Sequence, residues 1–234
     1  MFAKKKTLRH IEKKNSGSWL RDLILGGQDG LVNVLGVVLG VSAASQNQSI
    51  IIAAALAATF AESISMTAVE YTSMLAEHDY YESELEREKR EIEEVPEDEI
   101  KEIHDIYYEK GFRNHQLDEI VKTITTDKNI WLNTMMKDEL NLQPVEKTKV
   151  LISSGIVGVS SLIGSLIPVF PFFFLPRHLA IPACIIFSGA ALFGIGVYKA
   201  KILVGIWWKS GLQMFLIGMG AAFVGYMIGL FFHV

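Results

Sequence analysis

Residues 24–41 read ILGGQDGLVNVLGVVLGV, an apolar, glycine-rich stretch that is long enough to lie in a membrane but carries Asp29 near its start. A charged side chain at the centre of a lipid-facing helix costs roughly 2.5–3.5 kcal/mol on insertion scales. Such residues usually face a polar interior and serve an ion or a proton. The stretch therefore predicts a membrane span whose carboxylate handles an ion or a proton.

The composition supports a membrane protein with segregated charge. Half of the 234 residues are hydrophobic, and 21 of the 26 acidic residues lie between Glu77 and Glu146. The net charge of −4 thus combines a basic start, an acidic middle and a nearly uncharged remainder. The single cysteine, Cys184, excludes an intramolecular disulfide and a Cys-x-x-Cys metal site. We expect no nucleic-acid partner and no cofactor.

Five apolar segments reach the roughly 20 residues that a helix needs to cross a bilayer. We place them near residues 22–44, 50–76, 149–170, 179–199 and 210–232. Outside the acidic segment, lysine and arginine are concentrated in the first 21 residues and between residues 199 and 209, whereas the link at 45–49 has none and the link at 176–182 has only Arg177. By the positive-inside rule, the N-terminus and the acidic segment are cytoplasmic, and the C-terminus lies outside.

The acidic segment has the pattern of a small helical domain. In EDEIKEIHDIYYEKG, residues 97–111, apolar residues recur at helical spacing, and Pro96 suits the first turn of a helix. We therefore predict an all-α polytopic membrane protein with five transmembrane helices and a small helical cytoplasmic domain. Its parts are a basic cytoplasmic tail (1–21), the first two transmembrane helices (22–76), an acidic helical metal-binding domain (77–147) and the last three transmembrane helices (148–234).

Four glutamates in this domain form a candidate cation site. Glu88 and Glu91 share one helix face, Glu99 and Glu102 repeat the spacing, and Pro96 between the pairs allows the helices to fold back. Four carboxylates brought together repel unless a cation is present, and oxygen-rich clusters suit hard or borderline divalent cations. The alternative is a solvated acidic face paired with nearby lysines and arginines.

The segment MMKDE adds a second candidate element to the domain. Met135 and Met136 flank Glu139 on adjacent helix faces. A thioether beside a carboxylate is unusual for Mg or Ca but tolerable for Fe(II) or Mn. The alternative for the two methionines is core packing beside Trp131 and Leu132.

The second span carries polar side chains of its own. Glu62, Met66 and Glu70 are four residues apart, so all three lie on one helix face. Such a stripe is expected along a polar path and not on a lipid-facing surface. The alternative is a pair of protonated carboxyl groups that hydrogen-bond to serine or threonine on another helix.

Four motifs, in order along the chain, resemble the vacuolar iron transporter family: RDLILGGQDGLVNVLGVVLGV, SMTAVEYTS, SSLIGSLIPVFPFFF and GLQMFLIGMGAAFVGYMIG. The resemblance implies a dimer of five-span subunits that exchanges Fe(II) or a similar ion for protons. It implies that Asp29 and Met66 form the transport path, across a dimer axis. It also implies a cytoplasmic metal site formed by Glu88, Glu91, Glu99, Glu102, Met135, Met136 and Glu139. Gln28, Glu62 and Val69 depart from the family pattern.

The residues and the resemblance together predict a transporter, not an enzyme. We expect proton-coupled export of Fe(II) or Mn(II) from the cytoplasm by a homodimer, through a path that includes Asp29, Glu62, Met66 and Glu70. The membrane would be the cell membrane in a prokaryote and a vacuole-type membrane in a eukaryote. Two alternatives are a non-transporting membrane adaptor and a membrane-bound carboxylate metalloenzyme. The second would use Glu-x-x-His motifs, and no histidine here follows a glutamate at that spacing.

Overall fold

The computed structural model describes residues 18–203 and 205–232, which form α-helices, one π-helical turn and no β-strand. The predicted all-α fold is therefore confirmed. The basic residues predicted to form a cytoplasmic tail at positions 4–14 lie outside the described residues. The helices are α1 Ser18–Ala44, α2 Gln48–Glu94, α3 Pro96–Glu109, α4 Asn114–Thr126, α5 Lys128–Thr134, α6 Lys147–Val169, α7 Pro171–Phe174, α8 Arg177–Leu203 and α9 Trp207–Phe231, with the π turn at Met135–Glu139.

Five of these helices are long and apolar enough to cross a membrane: α1, α2, α6, α8 and α9. They coincide with the five predicted spans. The second of them, α2, runs for 47 residues and so continues well beyond its apolar part. The glutamates at 62 and 70 did not interrupt it, because glutamate is a good helix former and the backbone bonds of a helix are satisfied internally.

The chain divides into two compact units. The first comprises the described residues up to 70 and from 152 onward, and in it α1 packs against α8 and α9. Its apolar core is formed by side chains that include Leu35, Val38, Ile51, Phe172 and Cys184. Close packing of α1 against α6 requires glycine, since a Cβ atom at Gly30 would lie 2.4 Å from the carbonyl oxygen of Ser161. This contact fixes the part of α1 that carries Asp29.

The second unit comprises residues 71–151, close to the predicted domain at 77–147, whose metal-binding role stays a prediction. Helix α3 begins at Pro96, as expected, and its first turn carries three acidic residues that favour the positive end of the helix dipole. The core of the unit is apolar and is formed by Ile92, Ile103, Leu117, Val121, Ile124, Trp131 and Met135. This core holds the polar part of α2, α3 and the π turn together.

Candidate metal centre

Three of the four predicted glutamates meet where α2 and α3 come together. Glu88, Glu91 and Glu99 each place one carboxylate oxygen within 4.8 Å of the other two. The short break at Val95, followed by Pro96, reverses the chain between the two helices and brings their acidic faces together. The spacing of the glutamates therefore produces a real cluster of oxygen atoms that could ligate a cation.

Burial separates this cluster from an ordinary acidic surface. The side chains of Glu88 and Glu99 are only 1% and 4% exposed, and each has a buried Oε2 atom without a hydrogen-bond partner. A buried carboxylate oxygen without a partner is costly unless a proton or a cation binds it. The alternative of a solvated acidic face does not fit these two residues.

Glu102 and Glu139 extend the cluster. The Glu139 carboxyl group lies in hydrogen-bonding contact with that of Glu102, and both add negative charge beside Glu99. Burial, followed by repulsion from Glu102 and Glu88, raises the pKa of Glu99 to about 7. Glu139 is open to solvent on one side, yet the surrounding protein atoms and the same neighbours raise its pKa to about 7 as well. Both carboxyl groups therefore exchange protons near neutral pH.

Arg87 supplies positive charge at the edge of the cluster. Its Nη2 atom lies 2.9 Å from a carboxylate oxygen of Glu84 and 2.9 Å from one of Glu88, and its Nε atom lies 3.6 Å from Glu91. One guanidinium group is thus shared among three glutamates. This pairing offsets only part of the negative charge, which leaves the centre able to attract a cation.

The two predicted methionine ligands are both buried, in the π turn. Met135 belongs to the apolar core with Trp131 and Ile103, so the packing alternative has direct support for this residue. Met136 is only 2% exposed. The backbone N–H of Leu140 donates to the carbonyl oxygen of Met135 at 3.1 Å, a bond that spans five residues. Such π turns are frequent at functional sites, and metal ligation by Met135 and Met136 stays a prediction.

The π turn is tied to α3 by a polar contact. Lys110 donates to Asp138 Oδ2 at 2.5 Å, and the hydroxyl group of Tyr107 donates to the same oxygen at 3.2 Å. Asp138 directly precedes Glu139, so this contact helps to place Glu139 beside Glu102.

A second polar group lies among the membrane helices. The side-chain amide of Asn33 donates to Glu62 Oε1 at 2.9 Å and to Asp29 Oδ2 at 3.3 Å. Asp29 and Glu62, predicted separately from two spans, are therefore brought together. Sequence reasoning missed Asn33, although its position four residues after Asp29 places both on one helix face.

The two other residues predicted for the path lie further along α2. Met66 is half-buried and Glu70 is buried, one and two turns after Glu62. Another buried acid, Asp22, accepts a hydrogen bond from the hydroxyl group of Ser153. The predicted roles of Met66 and Glu70 stay predictions.

Comparison with known proteins places this architecture in a family. The model of the VIT family matches residues 20–230. Vacuolar iron transporter 2 of Oryza sativa subsp. japonica is 32% identical over 211 residues, which cover 89% of this chain and 86% of the relative. Vacuolar iron transporter 1 of Eucalyptus grandis is 33% identical, with 87% and 82% of the two chains covered. The vacuolar iron transporter of Plasmodium falciparum (isolate 3D7) is 29% identical, with 94% and 83% covered.

These matches span both the membrane helices and the acidic unit between them. The predicted resemblance is confirmed, and the alternative of a membrane-bound metalloenzyme is excluded because the family and these relatives are transporters. The chain is a member of the VIT family of membrane transporters.

Proposed function

We propose that this protein exports Fe(II), or Mn(II), from the cytoplasm in exchange for protons. The observation that carries the proposal is the cluster of Glu88, Glu91 and Glu99, in which buried carboxylate oxygens lack partners and face one another. Oxygen donors of this kind suit hard or borderline divalent cations. The names of the relatives favour iron as the transported ion. The metal ion is the substrate, and no cofactor is needed.

The cytoplasmic cluster collects the ion and supplies it to the membrane path. Glu102 and Glu139 add carboxylates to the three that meet, and Met135 and Met136, both buried in the π turn, are the candidate thioether ligands. Metal ligation requires the deprotonated form of each carboxyl group, so binding releases protons. The pKa values of about 7 for Glu99 and Glu139 support such an exchange at cytoplasmic pH.

The membrane path consists of Asp29 and Glu62, joined by Asn33, and of Met66 and Glu70 on α2. Acidic side chains in membrane spans usually mark ion or proton routes. The Met66 thioether biases the path towards transition metals and carries no charge, so the ion is not trapped. Glu70 is a candidate carrier of the counter-transported proton.

The protein works as a homodimer in this proposal. Asn33 is exposed and Asp29 is half-exposed in the single chain, although both lie in a membrane helix. A second copy would cover these polar groups and would pair the two Asp29 and the two Met66 side chains about a symmetry axis. The N-terminus and the acidic domain face the cytoplasm, and the C-terminus faces the outside or the lumen of a vacuole-type compartment.

Metal uptake into proteoliposomes tests the proposal. The full chain is reconstituted, Fe(II) is kept reduced, and a pH gradient is imposed. We expect gradient-dependent Fe(II) flux and a matching movement of protons. A chain that binds metal but moves none would support the membrane adaptor instead.

A further inference from the structure

Asn33 joins acidic side chains from two membrane helices. It lies on α1 one turn after Asp29, and its Nδ2 atom lies 2.9 Å from Glu62 Oε1 on α2 and 3.3 Å from Asp29 Oδ2. A side-chain amide has two N–H hydrogens, so it can donate to both carboxylates at once. This neutral group therefore links Glu62 to Asp29, in addition to the hydrogen bond between the two carboxyl groups themselves.

The bridge also explains how two acids can lie together between membrane helices. Two carboxylates in a medium of low dielectric constant repel each other strongly. An amide that donates to both offsets this repulsion without adding charge. Each carboxylate also has a second oxygen that a divalent cation could bind. The amide carries a carbonyl oxygen too, which hard cations accept as a ligand.

We propose that Asn33 is a positioning residue that determines the ion specificity of the membrane path. By holding Glu62 beside Asp29, Asn33 increases the number of oxygen ligands that the path offers to an ion, relative to the single sulfur ligand of Met66. Carboxylate and carbonyl ligands suit Mn(II), whereas softer ligands favour metals later in the series. Asn33 thus broadens the ion selectivity of the path, so that Mn(II) is accepted along with Fe(II). The inference rests on the proposed transport function.

Asn33→Leu tests this role, because leucine fits a membrane helix and cannot donate. The measurement is the apparent KM for Mn(II) relative to that for Fe(II), in proteoliposomes that contain the full chain. We expect the ratio to rise about tenfold, the effect of losing one hydrogen bond to a charged group. Val37→Leu is the matched control, since Val37 is exposed on α1 one turn further on. This control should leave the ratio unchanged.

A double-mutant cycle separates a bridge from a general effect on packing. Glu62→Ala removes the accepting oxygen and should raise the ratio in the same direction. If both residues act through one link, the double variant Asn33→Leu/Glu62→Ala should raise the ratio no further than the larger single change. Additive effects, or an unchanged ratio in Asn33→Leu, would overturn the role of Asn33. If the wild-type chain moves no metal ion at all, the proposed function fails first, and this inference fails with it.

Discussion

The two acidic regions of the molecule manage negative charge in different ways. In the unit formed by residues 71–151, five glutamates gather, and Arg87 offsets only part of their charge. In the described part of the membrane unit, Asp29 and Glu62 meet, and the neutral amide of Asn33 donates to both. The glutamate cluster of the first region has excess negative charge and carboxylate oxygens without partners. The Asp29 and Glu62 side chains of the second region both accept hydrogen bonds from Asn33.

The difference follows from the surroundings of each region. The first region can hold several carboxylates because Arg87 offsets part of their charge and solvent screens the exposed members, Glu102 and Glu139. A membrane span cannot, since each charge there costs several kcal/mol. A transport path also needs binding weak enough for the ion to leave. We therefore interpret the first region as the one that concentrates the ion and the second as the one that passes it on.

Asp29→Asn should produce the largest effect, because it removes charge from the second region while keeping the shape of the side chain. We expect Fe(II) flux in proteoliposomes to fall at least about tenfold, as for loss of a charge-assisted ligand. Metal binding by the cytoplasmic cluster should be unaffected, which calorimetry on the detergent-solubilised full chain can measure. Undiminished flux in a well-folded variant would remove Asp29 from the path.

Changing Glu88, Glu91, Glu99 and Glu102 together to Gln should give the reverse result. Calorimetric metal binding should be largely lost, while flux should fall less than in the Asp29 variant, because the cluster supplies the path and does not form it. The matched control changes four exposed glutamates of the same helices to Gln, with an equal change in charge: Glu86, Glu94, Glu97 and Glu109. Equal metal binding by the two quadruple variants would show that the cluster holds no ion.

Sequence patterns predicted much of both regions, but for different reasons. The meeting of Glu88 with Glu99 follows from two helical spacings and a proline between them, which are local features. The contact of Asn33 with Glu62 joins residues 29 positions apart, so it depends on how α1 and α2 pack. Local periodicity carries no information about that distance. The π turn was missed for a similar reason, since its extra residue depends on how Met135 packs into the core.

The pH dependence of metal binding should distinguish the regions further. Glu99 and Glu139 have pKa values of about 7, so protons compete with the metal ion for the cluster below that pH. We expect the affinity of the full chain for Mn(II) to fall by roughly tenfold or more between pH 8 and pH 6. The variant Glu99→Gln/Glu139→Gln should bind more weakly and with a flatter pH profile. A profile as steep as that of the wild type would contradict the assignment.

The same pKa values determine whether the stability of the folded protein rises or falls with pH. The usual pKa of a glutamate is 4.5, so between that pH and about 7 the folded state holds more protons than the unfolded state. Stability without metal should therefore fall as the pH rises through this window. A divalent cation should restore it above pH 7, because the ion takes the place of the protons. Thermal unfolding of the detergent-solubilised chain, with and without Mn(II), measures both effects.

Met66→Leu should have the smallest effect and sharpens the comparison within the membrane region. Leucine is close to methionine in volume and apolarity, so the variant should insert and pack almost normally. What it removes is the sulfur, half-buried on α2 one turn after Glu62. If Met66 contacts the ion, transition-metal flux should fall by several-fold, whereas inhibition by Ca(II) should change less, since hard ions depend on the carboxylates. The informative quantity is the ratio of Fe(II) flux to Ca(II) inhibition, in vesicles with matched protein content. An unchanged ratio would mean that Met66 only packs, and the path would then select ions through Asp29, Asn33 and Glu62 alone.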